Sequence, residues 1–304
     1  MSIAIIGPEA EARLDWLGLC DAIMAGHARP RAEIADSFLY RGADTLLSRA
    51  AWIEGLGQLV KTATIFPGNA AHGKPAVNGS AALYSDTDGT LAAIVDFHLL
   101  TKWKTAGDSL CAARILARRD SARILIVGAG TVAASLRQAY GALFPDARFS
   151  VWNRNRAGAE RLAARHPGMA VVDDLAAAAR AADIITCATM ATDPVIKGEW
   201  LRPGQHVDLI GAYRPDMREA DDRALTRARI FVDSRATTIG HIGELKIPLA
   251  HGVIGVGDVL ADYYDLASGA FARRSEDEIT LFKNGGGAHL DLMTARYILD
   301  RVGG

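Results

Sequence analysis

The fold of this 304-residue chain is decided by Ile124-Leu125-Ile126-Val127, followed directly by Gly128-Ala129-Gly130-Thr131-Val132-Ala133. Four apolar residues, most of them β-branched, are typical of a buried strand. In the GxGxxA pattern, the first glycine allows a tight turn, the second lets the backbone approach a pyrophosphate, and the alanine lets helix and strand pack. The motif therefore predicts dinucleotide binding through Gly128, Gly130, Thr131 and Val132. A glycine turn needed only for packing is the alternative.

Strands and helices alternate on the C-terminal side of this motif. The apolar runs and helical spacings predict helices over Thr131–Leu143, Gly158–His166 and Asp174–Ala182, and strands over Arg123–Val127, Phe149–Trp152, Ala170–Val172, Asp183–Cys187, His206–Ile210 and Ile230–Val232. Alternation at this spacing is typical of a parallel, doubly wound sheet. An α/β fold with a Rossmann domain is the prediction for this part of the chain.

The first 100 residues follow a different pattern. Short apolar runs separated by Gly and Pro, such as Val60–Phe66 and Leu91–Phe97, predict a mostly antiparallel sheet. Residues 101–119 change to helical spacing, with Thr101 as the expected N-cap. A last helix is predicted over Ala288–Val302.

Composition excludes several classes of protein. The 34 basic and 35 acidic residues give a formal net charge of −1, which argues against a large nucleic-acid or membrane-surface footprint. No apolar run approaches the ~18 residues of a transmembrane helix, and the N-terminus does not resemble a signal peptide, so a cytoplasmic location is expected. The three cysteines form no CxxC pair and the eight histidines show no metal-ligand spacing, so no metal is predicted.

The end of the second Rossmann strand favours one cofactor. An NAD site usually has Asp or Glu there, bonded to the ribose 2′-hydroxyl. This chain has Asn153-Arg154-Asn155-Arg156 instead. Because guanidinium groups suit a phosphate, NADP(H) is favoured, with NAD(H) possible. The arginines could alternatively form a solvated loop face.

Several cations precede the Rossmann motif. Lys102 and Lys104 fall in the predicted first helical turn, where positive charge opposes the helix dipole unless an anion lies over it. Solvent exposure is the simpler alternative. Lys61, inside an apolar run, is either a charge on an edge strand or a pocket cation. Arg31 and Arg49 are further cations of the same region.

Several long motifs, in order, resemble the ornithine cyclodeaminase/mu-crystallin family. They are Lys61-Thr-Ala-Thr-Ile-Phe-Pro67-Gly-Asn69, Leu100-Thr-Lys-Trp-Lys104-Thr-Ala, Gly128-Ala-Gly130, Gly211-Ala-Tyr-Arg-Pro215-Asp-Met-Arg-Glu219-Ala-Asp221, and Phe282-Lys-Asn-Gly-Gly286 with Ala288 and Asp291. The resemblance implies an NAD(P)-dependent enzyme acting on small α-amino or α-imino acids. It also implies a homodimer in which the sheet of the non-Rossmann domain pairs with its partner's. A smaller α+β domain for substrate binding and dimerisation then comprises residues 1–112 with 288–304, and residues 113–287 form the Rossmann domain.

The resemblance also suggests the site residues. Lys61 is similar to the family's substrate-binding lysine, and Arg31 to the arginine that binds the substrate carboxylate. Lys104 stands where the family usually has arginine, and Arg49 where it usually has methionine. We hypothesise that Arg49 restores the guanidinium lost at Lys104. Besides the motif glycines, the residues expected to contact the cofactor are Asn153, Arg154, Asn155, Thr189, Met190, Asn284, Gly285 and Gly286.

Tyr213 is the most informative departure from the family. The cyclodeaminases and alanine dehydrogenases of the family resemble one another in having a catalytic aspartate there. A phenol with an unperturbed pKa of ~10 is a poor base at neutral pH. A packing role for Tyr213 is as plausible as a catalytic one. The surrounding segment is similar to the ketimine reductase branch.

The predicted reaction is therefore the NAD(P)H-dependent reduction of Δ1-pyrroline-2-carboxylate or Δ1-piperideine-2-carboxylate to L-proline or L-pipecolate. The alternatives are an ornithine cyclodeaminase, an alanine dehydrogenase, and a crystallin-like NADPH-binding protein without turnover.

Overall fold

The computed structural model describes residues 3–303, so Met1, Ser2 and Gly304 of the predicted first domain lie outside the described residues. The chain divides into two compact units. The first unit comprises residues 1–104 and 286–304, and the second comprises residues 105–285.

The first unit is built on a six-stranded sheet. Its strands are β1 (Ala4–Ile6), β2 (Glu33–Arg41), β3 (Asp44–Ile53), β4 (Gly57–Ile65), β5 (Val77–Tyr84) and β6 (Leu91–Asp96). They lie in the order β1-β6-β5-β4-β3-β2, and every neighbouring pair except β1–β6 is antiparallel. The predicted, mostly antiparallel sheet is confirmed. Because β4 lies inside the sheet, its residues cannot be edge-strand charges.

Three helices accompany this sheet. They are α1 (Trp16–His27), α2 (Phe97–Leu116) and α9 (Ala288–Val302), and α9 packs against α1 and against β3 and β4. Side chains alternate between the two faces of a strand. Arg49 on β3 and Lys61 on β4 are register partners, so they share the face of the sheet that α9 covers. The bounds of α9 are those predicted.

Helix α2 begins earlier than predicted. Its first residue is Phe97, and the carboxylate of Asp96 accepts a hydrogen bond from the backbone N–H of Leu99 at 2.8 Å. The N-cap assigned to Thr101 is therefore wrong, because the buried apolar residues Phe97, Leu99 and Leu100 already belong to the helix. Lys102 and Lys104 consequently lie beyond its first turn, where the dipole argument for an anion at the helix end does not apply.

The second unit contains an eight-stranded parallel sheet. Its strands are β7 (Arg123–Val127), β8 (Arg148–Trp152), β9 (Ala170–Val171), β10 (Ile184–Cys187), β11 (His206–Leu209), β12 (Arg229–Val232), β13 (Val259–Ala261) and β14 (Thr280–Lys283). The order is β13-β12-β14-β11-β10-β7-β8-β9, with every pair parallel. The strand order reverses at β7, between β8 and β10, which is where open α/β sheets bind ligands.

Helices complete the second unit. They are α3 (Thr131–Leu143), α4 (Arg156–Arg165), α5 (Leu175–Ala181), α6 (Asp222–Arg227), α7 (Arg235–Thr238) and α8 (Gly243–Ala250). Strands β10, β11 and β14 are buried along their whole length, as expected for a parallel sheet covered on both faces. The predicted doubly wound α/β fold is confirmed. Within the described residues, no helix is long and apolar enough to cross a membrane.

Candidate active site

A buried ion pair lies at the centre of the first unit. Lys61, only 5% exposed, donates from Nζ to Asp291 Oδ1 at 2.8 Å and to Thr101 Oγ1 at 2.9 Å. Its ammonium also lies 4.8 Å from the centre of the Phe97 ring. The edge-strand interpretation of Lys61 is therefore wrong, and the lysine is a buried cation. The sequence assigned no role to Asp291, although it belongs to the last family motif.

Burial and neighbouring charge oppose each other in this pair. Loss of hydration on burial lowers the pKa of Lys61 to about 8, despite the attraction of Asp291. Burial by itself would raise the pKa of Asp291, but Lys61, Lys104 and Arg49 together hold it below its usual value. At neutral pH Asp291 is thus a carboxylate and Lys61 is mostly charged, with a proton that it can release near pH 8.

Arg49 and Lys104 join the same cluster. Arg49 Nη1 donates to the carbonyl oxygen of Gly286 at 2.9 Å, and Lys104 Nζ donates to the same oxygen at 3.2 Å. Arg49 Nη1 also lies 3.6 Å from Asp291 Oδ2. Its remaining nitrogens bind both carboxylate oxygens of Asp36, at 2.7 Å and 3.2 Å. The first unit therefore brings together Lys61, Arg49 and Lys104, as the sequence hypothesis required.

Two other predicted cations behave differently. Lys102 forms an ion pair with Glu11 and takes no part in the cluster. Arg31 precedes β2 with an exposed side chain, but its charge contributes to lowering the pKa of the buried His289. Burial is the main cause of that shift and Lys104 the second, and together they bring the pKa of His289 to about 3. His289 is thus a neutral imidazole, and its ring meets that of His27 edge-on at 5.2 Å between centres.

The glycine motif of the second unit has the geometry of a phosphate-binding turn. Gly128 has φ +107°, and a Cβ built there would lie 2.6 Å from the carbonyl oxygen of Ala188. Gly130 is the N-cap of α3, and a Cβ built there meets nothing within 4 Å. The first glycine is therefore required by the fold, whereas the second leaves open space in front of a helix N-terminus. This cradle fits a dinucleotide pyrophosphate.

The loop after β8 separates the two arginines of the sequence motif. Arg156 forms ion pairs with Glu160, at 2.8 Å, and with Asp173. Arg154 is exposed, and in the part of the chain that the structure describes it has no ion pair. The side chains of Asn153 and Asn155 shape the loop: Asn153 donates to the carbonyl of Asn155 at 2.8 Å, and Asn155 caps α4. Arg154 is the guanidinium that remains available to a phosphate.

Glu219 joins the ends of two central strands. Its buried carboxylate accepts from the backbone N–H and the hydroxyl of Thr189, after β10, and from the N–H of Gly211, after β11, at 2.7 to 2.8 Å. Thr189 is thus held in place, while Met190 beside it is exposed.

Tyr213 is 60% exposed in the loop after β11, so its interpretation as a packed aromatic is wrong.

A hydroxyl network surrounds Asp208 on β11. Its carboxylate is fully buried and accepts hydrogen bonds from Ser109 at 3.0 Å, Tyr140 at 2.9 Å and Thr186 at 2.7 Å. Burial raises the pKa of Asp208 to about 6, and the three hydroxyl donors oppose that rise. Its hydroxyl partners come from distant parts of the chain and have no signal in the sequence around Asp208.

These geometries agree with a match to a known family. The sequence model of the ornithine cyclodeaminase/mu-crystallin family matches residues 53–304, which is more than half of the chain. The chain belongs to the ornithine cyclodeaminase/mu-crystallin family. The predicted resemblance is confirmed.

A sequence relative and two solved structures are similar to nearly the whole chain. The chain is 55% identical to Δ1-pyrroline-2-carboxylate reductase of Paracoccus denitrificans over 296 residues, covering 95% of this chain and 94% of the relative. The structure of Thermococcus litoralis Δ1-pyrroline-2-carboxylate reductase with NADH and L-proline superposes with a TM-score of 0.90 at 25% identity, covering 98% and 97% of the two chains. An archaeal alanine dehydrogenase dimer with bound NAD gives 0.89 at 27% identity, covering 99% and 96%.

Proposed function

We propose that this protein reduces a cyclic ketimine acid, Δ1-pyrroline-2-carboxylate or Δ1-piperideine-2-carboxylate, to L-proline or L-pipecolate with NAD(P)H. The observation that carries the proposal is the 55% identity, over nearly the full length of both chains, to a Δ1-pyrroline-2-carboxylate reductase. The cation cluster of the first unit and the glycine cradle of the second unit support it. We assign substrate binding to the first unit and dinucleotide binding to the second.

The substrate carboxylate is bound by Arg49, Lys104 and Arg31. Arg49 and Lys104 already reach one carbonyl oxygen, that of Gly286, so an acceptor placed beside it is within range of both donors. Gly286 has φ +69°, a left-handed backbone conformation that favours glycine and that turns its carbonyl toward these cations. The Asp36 carboxylate accepts two hydrogen bonds from the Arg49 guanidinium, which fixes the direction of the remaining N–H groups of Arg49.

Lys61 is the proposed proton donor to the substrate. With a pKa lowered to about 8 it can supply a proton from Nζ to the imine nitrogen, and a protonated imine accepts a hydride more readily. The nicotinamide, when bound, supplies that hydride to C2 of the substrate, while the electrons of the C=N bond move to nitrogen. Asp291 stabilises the charged form of Lys61 and holds its ammonium in place through the hydrogen bond to Oδ1.

NADP(H) is the proposed preferred cofactor, because Arg154 is left for a 2′-phosphate at the position where NAD enzymes have an acid. Gly128, Gly130, Thr131 and Val132 would hold the pyrophosphate, and Asn153 and Asn155 would shape the adenosine side. Thr189, Met190, Asn284, Gly285 and Gly286 are proposed to surround the nicotinamide half.

A single assay distinguishes this function from its alternatives. Purified protein is incubated with NADPH or NADH and Δ1-pyrroline-2-carboxylate, and separately with L-ornithine and NAD, while cofactor oxidation and ammonia are measured. We expect cofactor oxidation with the ketimine and formation of L-proline. Ammonia from ornithine without ketimine reduction would make the protein a cyclodeaminase, and cofactor binding without either reaction would make it a binding protein.

We also propose a homodimer formed by the sheet of the first unit. One row of register partners crosses all six strands on the face opposite Lys61, and every side chain in it is apolar: Ile5, Ile94, Ala82, Val60, Ala50 and Ala35. Ile5 is 73% and Val60 37% exposed in the single chain. Such a row favours burial against a second copy. Val60→Lys is expected to give monomers in sedimentation analysis, and Val256→Lys, at an exposed position of the second unit, is the matched control.

A further inference from the structure

Asn284 ends a chain of hydrogen bonds that begins at Asp208. The residue follows β14 directly, is 4% exposed, and uses both protons of its amide: Nδ2 donates to the carbonyl oxygen of Thr105 and to Ser109 Oγ, each at 3.0 Å. Ser109 Oγ donates in turn to Asp208 Oδ1, also at 3.0 Å. All four residues lie within the second unit.

The direction of every bond in this chain is fixed by Asp208. A carboxylate is an acceptor only, so the single proton of the Ser109 hydroxyl must point toward it. The hydroxyl can then only accept from Asn284, which must present its NH₂ group. The carbonyl of Thr105 imposes the same orientation, because it too is an acceptor only. An Asn284 amide turned by 180° would place its oxygen against two acceptors.

One polar atom of Asn284 therefore remains for a ligand. In the hydrogen bonds of residues 3–303, no donor reaches the carboxamide oxygen Oδ1. This oxygen is not among the side-chain polar atoms that are both fully buried and without a partner in the described residues, so it can be reached from solvent and is open to a donor. It lies at the carboxyl end of β14, the edge of a parallel sheet at which ligands bind.

We propose that Asn284 Oδ1 accepts a hydrogen bond from the carboxamide N–H of the bound nicotinamide, and that Ser109 and Asp208 are positioning residues that fix this acceptor. The inference rests on the proposed nicotinamide cofactor. A fixed acceptor selects one of the two orientations of the carboxamide and so holds the ring in one pose. Tyr140 and Thr186 bind the other oxygen of Asp208, Oδ2, and stand outside the chain to Asn284.

The test compares binding of two oxidised cofactors that differ at this group. NAD(P)⁺ has a carboxamide, whereas its 3-acetylpyridine analogue replaces the NH₂ with a methyl group and cannot donate. Dissociation constants are measured by calorimetry for wild type, Asn284→Ala, Ser109→Ala and Tyr140→Phe. Tyr140→Phe is the matched control, because it also removes one buried hydroxyl donor from Asp208 but leaves Ser109 in place.

Wild type and Tyr140→Phe are expected to bind the analogue about 10-fold more weakly than NAD(P)⁺, a typical factor for one hydrogen bond. Asn284→Ala and Ser109→Ala should bring that ratio toward one. The positioning role is overturned if Ser109→Ala keeps the wild-type ratio or if Tyr140→Phe loses it equally, and the Asn284 contact is overturned if wild type shows no preference. Failure of the proposed function is distinguishable, because wild type would then lack NAD(P)⁺ binding altogether or would bind it without reducing the ketimine.

Discussion

Arg49 and Lys104 donate to the same atom, the carbonyl oxygen of Gly286, at 2.9 Å and 3.2 Å. The two residues come from β3 and α2 and are separated by more than fifty positions in the chain. The resemblance noted in the sequence implies methionine and arginine at these two positions in the family, in that order. The convergence supports the hypothesis that Arg49 supplies a guanidinium beside Lys104, where the resemblance implies an arginine.

Replacing Arg49 should therefore weaken substrate binding more than it slows the reaction. Arg49→Met removes charged hydrogen bonds worth about 1.5–3 kcal/mol, so KM for the ketimine acid should rise roughly 10- to 100-fold. The double variant Arg49→Met with Lys104→Arg, which restores the family's usual pair, should recover most of this loss. Arg41→Met, an exposed arginine of the same hairpin, is the control. An unchanged KM in Arg49→Met would contradict the assignment.

Loss of the proton from Lys61 should lower the activity at alkaline pH. Because burial lowers the pKa of Lys61 to about 8, its ammonium is present below that pH and is lost as the pH rises through it. We expect kcat/KM for the ketimine acid to fall above about pH 8. Lys61→Arg and Lys61→Met should both remove most activity at every pH, since arginine stays charged without releasing its proton and methionine has no proton to supply. The exposed Lys74→Arg serves as control, and a wild-type profile that is flat to pH 10 would refute the role of Lys61.

The two motif glycines should respond differently to alanine. Gly130→Ala adds a methyl group where nothing lies within 4 Å, at a φ that alanine tolerates, so stability should be unchanged while NAD(P)H binds at least about 10-fold more weakly. Gly128→Ala combines a positive φ with a contact of 2.6 Å to the Ala188 carbonyl, and should lower the free energy of unfolding by about 1–3 kcal/mol. Thermal unfolding and fluorescence titration measure both. Unimpaired binding by Gly130→Ala would contradict the cradle.

Arg154 should determine the preference between the two cofactors. Arg154→Ala removes the free guanidinium after β8, so KM for NADPH should rise about 10-fold or more while KM for NADH stays nearly constant. Arg156→Ala is the matched control, because Arg156 is engaged by Glu160 and Asp173. Steady-state kinetics of wild type and both variants measure KM for NADPH and KM for NADH. Equal effects of Arg154→Ala on NADPH and NADH would argue against a 2′-phosphate contact.

His206 should make the fold sensitive to acid. Burial lowers the pKa of His206 to about 3, so the folded protein resists its protonation, whereas the unfolded chain binds that proton near pH 6.5. The free energy of unfolding should therefore fall as the pH drops from 6.5 toward 3, by about 2–3 kcal/mol at pH 4.5 from this residue. Denaturant unfolding of wild type and His206→Gln at pH 7 and pH 4.5 measures the difference. The variant should lose less stability between the two pH values than wild type; an equal loss would show that His206 does not titrate in this way.

The Rossmann part of the fold was predictable because its signals are local. The bounds of β7 and α3 agree with the prediction, since an apolar strand, a glycine turn and a helical period all lie within about twenty adjacent residues. The start of α2 was misplaced for the opposite reason. Three of the four residues in its first turn, Phe97, Leu99 and Leu100, are apolar and extend the apolar run of β6. Only the capping hydrogen bond that Asp96 accepts from the backbone N–H of Leu99 marks where the strand ends.

The sequence predicted which residues belong to the candidate site, but it did not predict the ion pairs and hydrogen bonds between them. Lys61, Arg49 and Lys104 were identified as cations of unusual context or by family resemblance, and Asp291 was present in a motif without a role. Nothing local indicates that Lys61 and Asp291, 230 positions apart, form a buried pair. The loop after β8 shows the same limit: two arginines were equivalent in the sequence, and ion pairs with Glu160 and Asp173 distinguished Arg156 from Arg154.

By itself the sequence determined the alternation of strands and helices, the dinucleotide motif and the family, because each depends on the order and spacing of nearby residues. The tertiary structure decided which charges meet. Pairing of β3 with β4 and packing of α9 on them bring Arg49 and Lys61 to one carboxylate, and burial there lowers the pKa of Lys61 to about 8. Loss of hydration depends on everything that surrounds a group, and so it is a property of the folded protein and not of any stretch of its sequence.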